Sequence, residues 1–518
     1  MKRNLVLLLP LLISVTSCQW SRNDTTTSGE ESIDLTPVDI SEDNVTTIKR
    51  NQKDFASNNA RDLDYLPSIG EPKVLVIPVW FTDSSDYISN KDNVLEDIKT
   101  AYFGSSEETG WESVSSYYEK ESFGGLKMDG VVSPWYECGK HSTEFYSNGS
   151  ATNTLVSDAT NYYFNNNPEE NRKDYDIDQN GYLDAVMLIY GAPEYISLRN
   201  GNASNLWAYC SWLLRPSLKN IDNPGPNVFF WASYDFMYSS GDNALSRAGS
   251  YYGLGDTSHC VVDSHTFIHE MGHAIGLNDY YDYDNRSNSP AAGFSMQDHN
   301  VGGHDPYSLM TYNWVEPFIP TETMRINLRP FQETHDLILL TNGWNEFDSP
   351  FDEYLLLEFY TPTGLNKHDV DYRYSNYSKG PSASGIRLWH VDGRLLYGNG
   401  FSFRGSRMTS DPLIEGYKVT NAFSNSTNGT QFLNPERYGK YNELQLIRND
   451  VNEEYVSYTW LEDSHLFGDG DHFDIKNYSL QFPNATLTNK KEAFCWEFDV
   501  KITEKDGSPL AVIDVKKV

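Results

Sequence analysis

The sequence predicts an α+β protein in which a region of mixed helices and strands precedes a β-rich, sandwich-like region. Three observations support this prediction. The run KVLVIPVWF, from Lys73 to Phe81, is continuously apolar and rich in valine, which is typical of a buried strand. Residues 264–275 have the length and composition of one apolar helix, with Asp263 or Ser264 as its N-cap. After about residue 320, short strand-like runs are separated by Gly, Asn, Asp and Pro.

The first residues predict an export signal. Lys2 and Arg3 precede a nearly continuous apolar stretch, and residues 1–17 match a secretory signal peptide that is shorter than a membrane-spanning helix. Cys18 ends the segment VTSC, which resembles a bacterial lipobox, where the cysteine sulfur carries a lipid after cleavage. We therefore expect an extracellular protein on the bacterial cell surface, anchored to the membrane only through a lipid on Cys18. An ordinary cleavage site beside a chance cysteine is the alternative.

The region after the signal is polar. Residues 18–65 are rich in Ser, Thr, Asn, Asp and Glu, and such a composition buries too little apolar surface to fold alone. We expect a flexible tether there; a pro-segment that covers a site is the alternative.

Two structured regions follow the tether. The mixed region spans 66–325, with helices expected at 91–103 and 111–123. Residues 326–518 show no long amphipathic helix and predict one or two β-rich subdomains. Their strand-like runs are Leu337–Leu340, Tyr354–Tyr360, Ile386–Val391, Glu443–Ile447 and Tyr455–Leu461.

Charge and cysteine content limit the classes of partner. The formal net charge of −33 at pH 7 disfavours nucleic acid, because binding it relies on Lys and Arg that neutralise phosphates. Cys138, Cys210, Cys260 and Cys495 show no CxxC spacing, so a cysteine zinc site is not expected. Three disulfide pairings and four free thiols all stay open. We expect a monomer.

The stretch HEMGHAIGLND carries the most chemical information. Positions i and i+4 share one helix face, so His269 and His273 present two imidazoles to one Zn²⁺, the spacing of a zinc-dependent peptide hydrolase. Glu270 lies where its carboxylate reaches a water beside such an ion, as a general base requires. Gly276 lets the helix end, and the chain then offers Asp279 as a third ligand.

The third ligand and the floor of the site have competing candidates. Asp279 completes the pattern HExxHxxGxxD, which resembles the metzincin class of zinc peptidases; Asp282 and Glu316 are the competitors. Metzincins also place an apolar methionine turn beneath the metal. Met296 and Met310 are the two candidates for that turn.

Several segments together resemble the secreted bacterial metallopeptidases of the immune inhibitor A type. HEMGHAIGLNDYYD is similar to that family's HE-x-GH-x-LGL-x-D-x-YD motif, with Ile275 in place of the usual Leu. KVLVIPVWF, the segment 110–124 and SMQDHNVGGHDPYSLMTYNWVEPF also match, and the last of these favours Met296 as the methionine turn. The resemblance covers residues 70–400 and implies a zinc-dependent endopeptidase that acts on extracellular proteins.

A second metal site is suggested by DIDQNGYLD. Asp176, Asp178, Asn180 and Asp184 are spaced like the first ligands of a Ca²⁺ loop, with a glycine at the sharp turn. A methionine stands where an EF-hand has its bidentate Glu, which excludes a full EF-hand. A shortened Ca²⁺ loop and an Asx-rich turn both stay open.

Three further polar side chains lie near the zinc motif or downstream of it. For His265, one turn before His269, we expect a structural role. Tyr307 and Tyr312 carry hydroxyls of the kind that stabilise an oxyanion, but packing is the favoured role for both.

The sequence therefore predicts a secreted or surface-tethered zinc metalloendopeptidase, a hydrolase whose partners are protein or peptide substrates. The alternative is a non-catalytic cell-surface binding protein for glycans or host proteins, built on a peptidase-like scaffold. The intact His269, Glu270 and His273 favour the enzyme. A peptidase restricted to glycoproteins is a narrower form of the first hypothesis.

Overall fold

The chain folds as a mixed α+β protein with several β-sheets, which confirms that part of the predicted fold class. The structure is a computed structural model that describes residues 35–48, 64–238, 262–277, 279–281, 290–344, 352–374, 378–392, 444–451, 459–487 and 493–518. The strands are β1 Val38–Asp39, β2 Lys73–Trp80, β3 Asp129–Val132, β4 Tyr136–Glu137, β5 Val186–Tyr190, β6 Tyr209–Trp212, β7 Val228–Ser233, β8 Met324–Leu328, β9 Leu337–Leu340, β10 Glu353–Tyr360, β11 Gly385–Asp392, β12 Leu444–Ile447, β13 His472–Asp474, β14 Trp496–Lys505 and β15 Ser508–Lys517. The α-helices are α1 Lys91–Phe103, α2 Ser106–Thr109, α3 Val114–Glu121, α4 Gly149–Asn166, α5 His265–Ile275, α6 Met296–His299, α7 Pro306–Thr311, α8 Phe331–Thr334 and α9 Asn366–Asp371.

The first sheet is mainly parallel and lies between two helical layers. Its strand order is β3-β2-β5-β7-β6, with β4 also paired to β2, and β6 is the antiparallel edge strand. Side chains alternate across a strand. Val74 and Val76 therefore enter the core shared with α1, α3 and α5, whereas Leu75 and Ile77 enter the core shared with α4. Burial on both faces explains why β2 reads as a continuous apolar run.

Two further sheets pack face to face in the C-terminal part. One has the order β1-β8-β15-β14-β13, and the other has the order β12-β11-β10-β9. Leu355 and Leu388 of the four-stranded sheet share a core with Ile326 and Ile513 of the five-stranded sheet. The opposite face of the four-stranded sheet, with Trp389, packs into the same core as α5. The four-stranded sheet therefore connects the C-terminal core to the helix of the zinc motif.

The predicted boundary between residues 325 and 326 falls inside β8. The described residues from Pro37 onward form one compact unit, because the core that contains α5 also contains side chains of β9 to β12. A run of apolar residues indicates a strand but not its pairing partners, so the predicted boundary divides a strand of the C-terminal five-stranded sheet.

The predicted tether contains ordered chain. Val38 and Asp39 of β1 pair in parallel with Ile326 and Asn327 of β8. Ile40 is buried in the C-terminal core. Within the predicted tether, residues 38–39 therefore form a short strand that gains its stability from tertiary pairing. Residues 19–34 and 49–63 of that segment, the predicted signal peptide and Cys18 lie outside the described residues.

The described cysteines are free thiols at Cys138, Cys210 and Cys495, while Cys260 lies outside the described residues. Among the helices of the described ranges, none combines the length and apolarity needed to cross a membrane.

Candidate metal centre

Helix α5 carries the zinc motif and ends as the sequence predicts. It begins after Ser264 and ends at Gly276, whose φ of +123° is unfavourable for other residues. A Cβ added at Gly276 would lie 3.2 Å from Cδ1 of Tyr65, so the glycine also lets Tyr65 pack against the helix end. The turn that follows brings Asp279 back towards the helix.

The three predicted zinc ligands converge. His269 Nε2 lies 2.9 Å from Asp279 Oδ1, and His273 Nε2 lies 3.3 Å from the same oxygen. The two Nε2 atoms are 3.1 Å apart. One ligand atom from each of the three residues therefore lies within 4.8 Å of the others, a spacing that can hold one metal ion.

Backbone carbonyl groups orient both imidazoles. His269 Nδ1 donates to the carbonyl oxygen of Met296 at 2.7 Å, and His273 Nδ1 donates to that of Leu277 at 2.8 Å. These hydrogen bonds place a proton on Nδ1 of each ring and turn both Nε2 atoms towards Asp279. Such a second hydrogen bond is typical of histidines that bind metals.

Glu270 is buried beside the cluster. Its Oε2 has no hydrogen-bond partner among the described residues, while the amide N–H of Cys210 in β6 donates to the carboxylate. Burial raises the pKa of Glu270, against the opposing effect of His273 and His269. An unpaired buried carboxylate oxygen is costly unless a further group, such as a water, binds there.

Opposite charges stabilise each other inside the cluster. Burial lowers the pKa of His273, but the Asp279 carboxylate outweighs burial and raises that pKa to about 9. Burial raises the pKa of Asp279, but His273 and His269 outweigh it and hold that pKa well below its usual range. The site therefore favours positive charge next to Asp279, which a cation supplies as well as a proton does.

The predicted floor residue Met296 lies at the site. It is fully buried at the start of α6, and its backbone carbonyl is the partner of His269. Its competitor Met310 is also fully buried, in α7. His304 lies near the same cluster, and burial together with His269 lowers its pKa to about 3. Both candidate methionines are thus buried in the core, and Met296 is the one whose backbone contacts a predicted zinc ligand, His269.

An open cleft of about 330 Å³ exposes the cluster. Its lining residues are Tyr65, Trp207, Ala208, Tyr209, Cys210, Trp212, His269, Glu270, His273, Gly276, Leu277, Asp279 and Tyr281. One wall is the edge strand β6, and Tyr65 meets Trp212 edge to face with ring centroids 5.5 Å apart. The cleft therefore combines the cluster with aromatic walls and one side of a sheet.

Several neighbours of the cluster were not identified from the sequence. Tyr281 donates a hydrogen bond to Asp279, and its pKa is raised by burial and by the charges of Asp279 and Glu270. Its position two residues after Asp279 in the motif is the one signal that could have identified it. The contacts of Met296, Leu277 and Cys210 use backbone atoms, which any residue type supplies.

The remaining candidate residues lie outside the cluster or outside the described part of the chain. Glu316 is exposed and lies outside the cluster, and Asp282 is outside the described residues. His265 is buried between carboxylates, consistent with a structural role. The Tyr312 hydroxyl donates to the Gly272 carbonyl oxygen at 2.9 Å, and Tyr307 is fully buried.

The acidic loop brings three of its four predicted ligands together. Carboxylate oxygens of Asp176, Asp178 and Asp184 lie within 4.8 Å of one another. Asn180 Oδ1 instead accepts the N–H of Tyr182 at 2.8 Å, while its Nδ2 donates to Asp178 at 2.9 Å. Burial, followed by the neighbouring carboxylates, raises the pKa of Asp184 to about 8.

No protein-family model matches the chain, and no curated protein matches it either. The class that the fold and the cluster define is a mixed α+β protein with a His-His-Asp group and a buried glutamate at one cleft.

Proposed function

We propose that the protein is a zinc-dependent endopeptidase of the metzincin-like type. The observation that carries this proposal is the convergence of His269, His273 and Asp279 beside a carboxylate oxygen of Glu270 that no described residue pairs with. The motif similarity to the immune inhibitor A peptidases supports the same assignment and a family membership of that kind.

The donor set fits Zn²⁺. Two imidazole nitrogens and one carboxylate are a ligand set that zinc accepts in catalytic sites, with a position left for water or substrate. Both rings already have their second nitrogen hydrogen-bonded, as metal-binding histidines require. His269, His273 and Asp279 would hold the ion.

The residues of the chain divide the chemistry between them. Bound zinc supplies Lewis-acid polarisation of the scissile carbonyl and activation of a water. Glu270 accepts the proton of the attacking water and passes it to the nitrogen of the leaving amine, as a general base and then a general acid. The Cys210 amide holds one part of the Glu270 carboxylate and leaves Oε2 available for this transfer.

The cleft suits an extended peptide. Because β6 is the edge of the described sheet and lines the cleft, a substrate chain can align along it through backbone hydrogen bonds. Tyr65, Trp207 and Trp212 offer apolar contact to side chains. Protein or peptide substrates outside the cell, with the protein held at the surface by a lipid on Cys18, complete the proposal.

Replacement of the general base tests the proposal. Glu270→Gln keeps the shape of the side chain and the zinc ligands, so zinc content stays at the wild-type level while casein hydrolysis falls by about 10²–10⁴-fold. Glu96→Gln, at a side chain that is 68% exposed on α1, is the matched control and cleaves like wild type. Wild-type hydrolysis by Glu270→Gln contradicts the role of Glu270. A chain that neither holds zinc nor cleaves, but binds glycans or host proteins, supports the binding-protein alternative.

Ca²⁺ is proposed for the acidic loop. Three converging carboxylates, two of them buried, suit a hard cation with oxygen ligands. Saturation at 100 times the dissociation constant adds about 2.7 kcal/mol to the free energy of unfolding. We expect Ca²⁺ to raise the Tm of the wild type and not that of Asp178→Asn; no Ca²⁺ effect on the wild type contradicts this site.

A further inference from the structure

His265, the first residue of α5, is enclosed by charges and rings. Its Nδ1 lies 2.7 Å from Asp263 Oδ1, and its Nε2 lies 2.9 Å from Asp369 Oδ1. Trp111 and Tyr374 stack on it, with ring centroids 4.0 and 4.2 Å away. A neutral imidazole has one N–H and cannot donate to both carboxylates, so these contacts indicate an imidazolium. Burial lowers the pKa of His265, but Asp369 and Asp263 outweigh burial and raise it to about 10.

Asp369 holds a second segment with its other oxygen. Asp369 Oδ2 accepts the N–H of Gly302 at 2.7 Å, and the side chain is almost fully buried. Asn366, also on α9, reinforces this contact, since its Oδ1 accepts the N–H of Gly303 at 3.0 Å. One carboxylate from the C-terminal part of the chain therefore bridges α5 and the chain at Gly302.

Both bridged segments build the candidate metal centre. His269 lies one turn after His265 on α5. The carbonyl oxygen of Gly303 accepts the N–H of Met296 at 3.3 Å, and the carbonyl oxygen of Met296 accepts from His269 Nδ1 at 2.7 Å. The Asp369 carboxylate thus lies between the helix that carries the ligand and the segment that orients its ring.

We propose that Asp369 is a positioning residue of the metal centre, whose bridge between His265 and Gly302 holds α5 and residues 296–303 in register and thereby orients His269. The inference rests on the proposed peptidase function and adds a residue to it. It also makes the C-terminal part of the chain a component of the catalytic apparatus.

Removal of the bridge is the test. In the full chain, Asp369→Ala loses both contacts, and we expect kcat and zinc affinity each to fall by about tenfold or more with KM changed less than about twofold. Asp369→Asn still accepts from Gly302 and can meet a neutral His265, so most of the loss is recovered. Asp371→Ala, at the exposed end of the same helix where it pairs with Lys367, is the control with wild-type values.

The outcomes are distinguishable. Wild-type kcat and zinc affinity in a folded Asp369→Ala protein overturn the proposal, as does an equal loss in the Ala and Asn variants. If Asp369→Ala does not fold, His265→Gln gives the second measurement: a lower kcat at unchanged KM supports the bridge, and a wild-type kcat overturns it. A wild-type protein without zinc or peptide cleavage refutes the proposed function instead.

Discussion

The two imidazoles of the motif owe their direction to backbone groups. Without the carbonyl oxygens of Met296 and Leu277, each ring could rotate or present the wrong nitrogen, because both ring nitrogens of a neutral histidine can act as ligands. With them, Nε2 of His269 and Nε2 of His273 meet at Asp279. At the scale of single residues, the three ligand atoms are therefore already held together, as the proposed zinc site requires.

Gly276 ends the helix that carries both imidazoles. A side chain there is strained by the φ of +123° and also meets Tyr65, so Gly276→Ala should lower the free energy of unfolding by about 1–3 kcal/mol and weaken zinc binding. Gly139→Ala is the matched control, because its φ is +68° but no atom of the described residues lies within 4 Å of the added Cβ. Urea unfolding and zinc titration measure both effects. Equal unfolding free energies and zinc affinities of the two variants would show that the contact of Tyr65 with the helix end contributes to neither property.

At the scale of elements, a buried ion pair within the four-stranded sheet includes an arginine that also contacts the segment before Met296. Arg387 of β11 donates to Glu358 of β10 at 3.1 Å and to the carbonyl oxygen of Phe294 at 3.2 Å. Trp389 Nε1 also donates to Glu358 at 2.7 Å. Phe294 lies two residues before Met296, so the sheet supports the same segment that orients His269.

Breaking this pair should be costly. Arg387→Met leaves the Glu358 charge buried without its partner, and we expect the free energy of unfolding to fall by about 3–5 kcal/mol. Arg325→Met, in the Arg325–Asp514 pair whose side chains are 35% and 29% exposed, is the control and costs no more than about 1 kcal/mol. Chemical unfolding of both variants gives the comparison. A loss at Arg387 as small as that at Arg325 would contradict the structural role of the pair.

At the scale of the whole molecule, the sequence predicts contacts within one helix more readily than contacts between distant segments. The spacing of His269, Glu270 and His273 predicts their shared place on α5, because helix geometry alone fixes it. The contact between His265 and Asp369 joins residues that are 104 positions apart, and no periodicity marks such a pair. The strand β1 and the place of β8 beside β15 lack a local signal for the same reason, since both depend on tertiary strand pairing.

The same difference between local spacing and backbone contacts applies to the acidic loop, where three of the four predicted Ca²⁺ ligands converge. The spacing in DIDQNGYLD accounts for the approach of Asp176, Asp178 and Asp184, because a tight turn brings neighbouring positions together. It does not predict that Asn180 Oδ1 is engaged by the N–H of Tyr182. In this loop the residue spacing determines which side chains approach one another. Hydrogen bonds to the backbone determine which side-chain oxygens stay available for a cation.

One measurement tests the zinc endopeptidase proposal most directly: mass spectrometry of peptides released from a complex protein mixture by the purified chain, before chelation, after chelation and after zinc is restored. We expect internal cleavages that disappear with chelator, return with Zn²⁺ and are absent with Glu270→Gln at every step. Cleavage that persists after complete removal of the metal, or no cleavage by a protein shown to hold one zinc ion, would contradict it.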